Sequence, residues 1–134
     1  MYINEKYSTK IYISCGNGIY LFSNESATGK TRLFKVLRKI QGYDKDIKTY
    51  TYDDLLIENK TLDAFLENIG EGISVIFIDR FDMHEVSQKN IEQLKRLGKD
   101  HIILIDCKQI ELLAECDFND AGITMTEQTI TVEG

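Results

Sequence analysis

Ile73-Ser74-Val75-Ile76-Phe77-Ile78-Asp79 and Ile102-Ile103-Leu104-Ile105-Asp106 are the stretches on which the fold turns. Each is an almost unbroken apolar run that ends in a carboxylate. A strand with one face in water alternates apolar and polar residues, whereas a run of this kind needs cover on both faces, as in a parallel sheet between helices. Ile19-Tyr20-Leu21-Phe22 has the same character. Helical patterns separate the runs. Leu33, Phe34, Leu37 and Ile40 fall at helical spacing over Lys30 to Ile40, and Gly42 ends that helix. Val86, Ile91, Leu94 and Leu97 do the same over Glu85 to Leu97, closed by Gly98. Ile47 to Tyr52 reads as a further strand. Short helical pieces are expected through Leu55-Leu56-Ile57, capped by Asp53 or Asp54, through Leu62 to Ile69, capped by Thr61, and over Ile110 to Cys116.

The two ends read as short strands. Lys10 to Ser14 alternates, and Asn17-Gly18 is a hairpin-turn signal, so an N-terminal β-hairpin with Ile19 to Phe22 is expected. Ile123 to Thr126 and Thr129 to Val132 alternate on either side of Glu127-Gln128 and predict short C-terminal strands. Strands alternating with helices imply an α/β fold. Its sheet is mostly parallel, with helices on both faces and ligands at the carboxyl ends of the strands. No repeat, low-complexity segment or linker interrupts the pattern, so residues 1–134 are expected to form a single domain.

The chain has 134 residues, 43% apolar and 28% charged, which excludes a disordered polar tail. No apolar stretch approaches the roughly 18 to 20 residues needed to span a bilayer. Met1 to Lys10 lacks the apolar core of a secretory signal, so a cytoplasmic location is expected. Cys15, Cys107 and Cys116 have no metal-ligand spacing and read as buried or half-buried free thiols in a reducing compartment. A net charge of -6 disfavours nucleic-acid binding by the chain alone, because that interaction needs clustered cations.

The segment from Ser23 to Gly29 is small and polar, follows an apolar strand and precedes an amphipathic helix, so it reads as a loop. Successive backbone amides there, with the helix N-terminus, form an anion cradle. Gly29 lets the backbone approach a phosphate, Lys30 reaches the phosphates, and the Thr31 hydroxyl is placed for Mg²⁺. Asn24 to Thr31 resembles the Walker A motif of the P-loop NTPase superfamily, G-x-x-x-x-G-K-[ST], with Asn24 in place of the first Gly and Ala27 where some members carry another. Val75 to Asp79 resembles Walker B. The Ile47–Tyr52 strand between the motifs is similar to the additional strand of the branch holding AAA+, ABC and RecA-like ATPases.

The resemblance implies ATP or GTP, with ATP ahead, and Mg²⁺ as ligands. Asn24, Ser26, Ala27, Thr28, Gly29, Lys30, Thr31 and Arg32 would surround the phosphates, and Thr31 and Asp79 would hold the metal. Arg80 stands where that branch places a water-polarising Glu, so the resemblance implies a slow ATPase at most, one that needs a protein partner or a second copy to complete its site. Asp82 and Glu85 are candidate substitute carboxylates from the following loop, Asp82 reading equally as a cap of the next helix. Asp106 occupies the position of a polar sensor near the γ-phosphate or reads as a strand-end side chain that caps or faces solvent. His84 and His101 read as ordinary loop residues. The alternative is a non-catalytic interaction module, an adaptor or inhibitor, built on a stripped P-loop scaffold.

Overall fold

The computed structural model describes residues 2–3, 9–22, 27–42, 44–126 and 128–134, without the side chains of residues 2, 3, 27, 28 and 110. A parallel sheet of five strands forms the centre. It contains β3 (Gly18–Phe22), β4 (Ile47–Tyr50), β5 (Val75–Ile78), β6 (Ile102–Asp106) and β7 (Phe118–Asp120), in the order β4-β5-β6-β3-β7. The apolar runs take the interior positions. All four residues of β5 are buried, as are Ile102 to Ile105 of β6 and Ile19 to Phe22 of β3. Each such side chain taken from water contributes about 1.5–3 kcal/mol.

One face of the sheet is covered by α3 (Leu62–Glu67) and α4 (Gln88–Leu97), with Phe65, Leu66, Ile91 and Leu94 packed on Ile76, Ile78, Ile103 and Ile105. The other face is covered by α1 (Ala27–Ile40) and by a second sheet, with Leu33, Leu37 and Ile40 packed among Phe22, Phe77 and Leu104. Both small helices on the first face start on capping side chains. Thr61 Oγ1 accepts from the Ala64 amide at 3.1 Å, and Ser87 shares a reciprocal cap with Asn90. A cap of this kind is worth about 1 kcal/mol.

The second sheet has the order β1-β2-β9-β8, formed by Tyr2–Ile3, Lys10–Ser14, Thr129–Glu133 and Gly122–Met125. β8 and β9 form the expected antiparallel pair, with Met125 opposite Ile130. The expected hairpin between Lys10–Ser14 and Ile19–Phe22 does not form. β2 pairs in parallel with β9, whereas β3 pairs with β6 and β7 in the other sheet. Burial demand explains the separation. β2 alternates and needs only one face covered, whereas β3 is apolar on both and belongs in the sandwich centre. Gly18, at φ +147°, turns the chain between the sheets, and its amide starts the β3–β6 ladder on the His101 carbonyl.

Further boundaries differ from expectation: α4 starts at Gln88, after Ser87, and not at Glu85, and the helix expected over Ile110 to Cys116 is a 3-10 turn over Ile110–Leu113. α1 begins at Ala27, so Ala27, Thr28 and Gly29 form its first turn, not part of a loop. Thr51, not Asp53 or Asp54, precedes α2 (Tyr52–Glu58), with the Asp54 carboxylate accepting from the Thr51 amide. Edge strand β7 carries the polar sequence Phe118-Asn119-Asp120, which shows no strand pattern.

Candidate functional site

Strand register builds one end of the site. Tyr50 lies opposite Ile78, Ile78 opposite Ile105, and Phe22 opposite Asp106. One residue past the first two pairs, Thr51, Asp79 and Asp106 therefore stand in a row at the carboxyl rim of neighbouring strands. The Asp79 amide donates to the Tyr50 carbonyl at 2.8 Å, and Thr51 Oγ1 donates to Asp79 Oδ2 at 3.1 Å. α1 leaves the β3 end towards one face, whereas the chain after β6 packs Leu113 and Cys116 on the opposite face. The β3/β6 boundary is thus a topological switch point, the place where open α/β sheets leave a crevice for ligands.

Lys30, in the first turn of α1, reaches into this crevice. Its Nζ lies 3.0 Å from Asp106 Oδ1, with the two side chains 10% and 17% exposed. Asp106 is thus an ion-pair partner of the buried lysine, not a cap or a solvated strand end. Lys30, Thr31, Phe34, Asp79, Arg80 and Asp106 share a cleft of about 570 Å³, which also takes in Thr51, Asp82 and Met83. A larger hollow of about 750 Å³ lies at the amino ends of the strands, lined by Asn17, Glu71, Gly72 and His101 among others. It presents Glu71 and Asp100 with no Lys or Arg, so its charge is wrong for a phosphate.

Burial lifts the Asp79 carboxyl above the usual carboxylate range. The charge of Asp106 adds to the rise, against the Thr51 hydroxyl and the Arg80 guanidinium. With Lys30 paired to Asp106, it is Asp79 that is left short of counter-charge at the rim. Arg80 partly supplies it, with Nε 4.0 Å from Asp79 Oδ2 and the side chain largely exposed. Its backbone is left-handed, at φ 50°, ψ 54°, a geometry that costs a non-glycine residue about 1 kcal/mol or more. No carboxylate follows Asp79 directly. Asp82 lines the cleft and accepts from the Lys108 amide at 3.4 Å, whereas Glu85 is exposed and is not among the residues of the cleft.

The remaining sequence-predicted positions divide. Asn24 and Ser26 lie outside the described residues. Ala27 and Thr28 are placed by their backbone in the first turn of α1. Gly29 is buried there, and a Cβ on it would point at Ile123 and Met125 of β8 rather than into the cleft. Thr31 is exposed on the cleft wall, and Arg32 is half-buried on the same helix but outside the cleft lining.

Two residues acquire roles that sequence reading missed. Thr51 holds the Asp79 carboxylate. His84, expected to be an ordinary loop residue, is buried between Tyr50 and Tyr52, with Nε2 3.3 Å from the Asp79 carbonyl oxygen. Burial holds its imidazole below the ordinary range. His101 is buried too, with Nδ1 on the Ile73 carbonyl.

The three cysteines are free, Cys15 half-buried and the others buried. Burial pushes the Cys107 thiol up to about 11, so it is inert at neutral pH. Among the described residues, no group of three or more His, Cys, Asp or Glu is arranged to hold a metal, and no helix is long and apolar enough to cross a membrane. In comparisons with known proteins, no family model, no curated protein and no solved structure matches this chain.

Proposed function

We propose that this chain binds a nucleoside triphosphate, ATP or GTP, together with Mg²⁺, in the cleft at the carboxyl rim, as a P-loop-type protein. The observation that carries this reading is the buried Lys30 ammonium facing the Asp79–Asp106 carboxylates across one crevice at the switch point. Lys30 sits in the first turn of a 14-residue helix, where the helix dipole favours an anion. A phosphate would draw the ammonium away from Asp106.

The residues present fit a hard divalent cation. Asp79 is a desolvated carboxylate beside a second one, and Thr31 offers a hydroxyl on the cleft wall. A constellation of three acidic ligands is not required, because Mg²⁺ keeps several waters and takes one or two protein oxygens plus substrate phosphates. A divalent cation bound there would supply neutralisation of phosphate charge. Lys30 would neutralise phosphate charge, Thr31 and Asp79 would orient the metal, and Asp106 would hold Lys30 until ligand arrives. Arg80 follows Asp79 in place of a water-polarising carboxylate, which favours binding with slow turnover at most.

A second reading, a protein-interaction module, draws support from Leu56 and Ile57, which are 63% and 80% exposed on α2. Titrating a fluorescent ATP analogue with Mg²⁺ against wild type and Lys30→Ala separates the two. Micromolar binding, about -8 kcal/mol, that weakens at least tenfold in the variant is the expected result. Absence of binding by folded wild type refutes the nucleotide reading and leaves the interaction module.

A further inference from the structure

The Thr51 hydroxyl is the residue's link to Asp79, and its backbone is held from the other side. The Thr51 amide donates to Asp54 Oδ2 at 3.0 Å. Asp54 is almost wholly buried and receives a two-pronged ion pair from Arg38, with Nη1 2.8 Å from Oδ2 and Nη2 on Oδ1. Arg38 also donates to the Thr49 carbonyl and hydroxyl, at 3.3 and 3.1 Å. Gln41 Oε1 accepts from the Thr49 amide and hydroxyl, both at 2.8 Å. Arg38 and Gln41 lie at the end of α1, the helix whose first turn carries Lys30 and Thr31. A single helix thus presents the phosphate-facing residues at one end and, at the other, clamps the strand end that holds Asp79.

We propose that Thr51 is a positioning residue for the divalent cation: its hydroxyl fixes the Asp79 carboxylate, and the Arg38–Asp54 pair fixes Thr51. This rests on the nucleotide–Mg²⁺ reading above. A carboxylate free to rotate at a strand end must be ordered when it meets a metal. One already held by a hydroxyl keeps its orientation, and loss of such an outer partner typically weakens metal affinity about 10- to 100-fold. The hydroxyl matters here and the methyl does not, so Thr51→Ser and Thr51→Val separate positioning from packing.

The experiment measures binding of a fluorescent ATP analogue to the full chain over a Mg²⁺ series that includes EDTA, for wild type, Thr51→Val and Thr51→Ser, with a thermal melt of each. The proposal predicts that Thr51→Val raises the Mg²⁺ concentration for half-maximal enhancement at least tenfold, leaves the EDTA affinity within about twofold, and is rescued by Thr51→Ser. An unchanged Mg²⁺ dependence in Thr51→Val overturns it, as does an equal loss in both variants or an equal loss with and without Mg²⁺. If Thr51→Val melts below the assay temperature, Thr51→Ala, which also lacks the hydroxyl, takes its place, a tenfold rise in the Mg²⁺ requirement supporting the proposal and wild-type Mg²⁺ dependence overturning it. Failure of wild type to bind the analogue removes the nucleotide reading and this proposal with it, whereas wild-type binding with an indifferent Thr51 removes only the proposal.

Discussion

Replacing Lys30 by Met keeps most of the apolar stem and removes the ammonium. Asp106 then stands beside Asp79 without its 3.0 Å partner, at a wall where the Asp106 side chain is 17% exposed. At an effective dielectric of about 20, attraction at this distance is about 5 kcal/mol, part of which is offset by the desolvation of both ions. Removing one member of a buried pair costs about 3–5 kcal/mol, and the open side of the cleft places this pair at the low end, near 3 kcal/mol. Unfolding entropy of about 2.1 cal/mol/K per residue over 134 residues gives about 0.3 kcal/mol/K, so the melting temperature should fall by about 10 °C at pH 7. The loss should shrink as the pH is lowered, because the Asp79 carboxyl, held above its usual range, takes up a proton early and relieves the repulsion. The double variant Lys30→Met/Asp106→Asn should recover at least half of the loss. Calorimetric melts at several pH values measure all three effects. A Lys30→Met melting temperature within about 2 °C of wild type at neutral pH, with no pH dependence, would refute the idea that this pair neutralises a buried charge.

Asp79→Asn should stabilise the ligand-free chain at neutral pH. A carboxyl whose folded pKa is raised contributes stability below its unfolded value, near 3.9, and loses it as pH rises through the folded value. Urea unfolding should show this gain; on the proposed nucleotide–Mg²⁺ reading, titration with the fluorescent ATP analogue should show that the variant lacks any Mg²⁺-dependent enhancement. Asp54 behaves oppositely. Burial alone would raise its carboxyl, but the Arg38 guanidinium and the Thr51 amide hold it below the usual range. Its stabilisation is therefore present above about pH 4 and is lost as pH falls through the lowered value. Arg38→Ala should cost about 3 kcal/mol at pH 7 in denaturant melts, with the difference from wild type narrowing in acid. Gly29→Ala places a methyl 3.4 Å from Ile123 and 3.5 Å from Met125, ordinary contact distances, and gains up to about 1 kcal/mol of helix propensity. Its melting temperature should hold or rise, and a fall in nucleotide affinity at unchanged stability would assign the glycine to ligand approach.

The sandwich centre was legible because continuous apolar runs permit only a doubly covered strand. β3, β5 and β6 follow from that requirement, and the Asp79 and Asp106 positions follow from where the runs stop. β7 was not legible, since Phe118-Asn119-Asp120 joins through its backbone and buries little side chain. The expected hairpin failed because Asn17-Gly18 reports a local bend, while partner choice is decided by how many faces each strand must cover. That Lys30 and Asp79 lie at the strand ends was readable from local context. The Lys30–Asp106 and Thr51–Asp79 contacts, 76 and 28 residues apart in the chain, depend on sheet order, which no local pattern contains.

The most direct measurement is a crystal structure of the chain with Mg²⁺ and a non-hydrolysable triphosphate. Terminal phosphate oxygens are expected within about 3 Å of Lys30 Nζ, with the ammonium withdrawn from Asp106 and the metal between Thr31 and Asp79. Phosphates bound at the opposite rim near Asn17 and His101, or a Lys30–Asp106 pair unchanged beside a vacant cleft at saturating ligand, would contradict the nucleotide–Mg²⁺ reading.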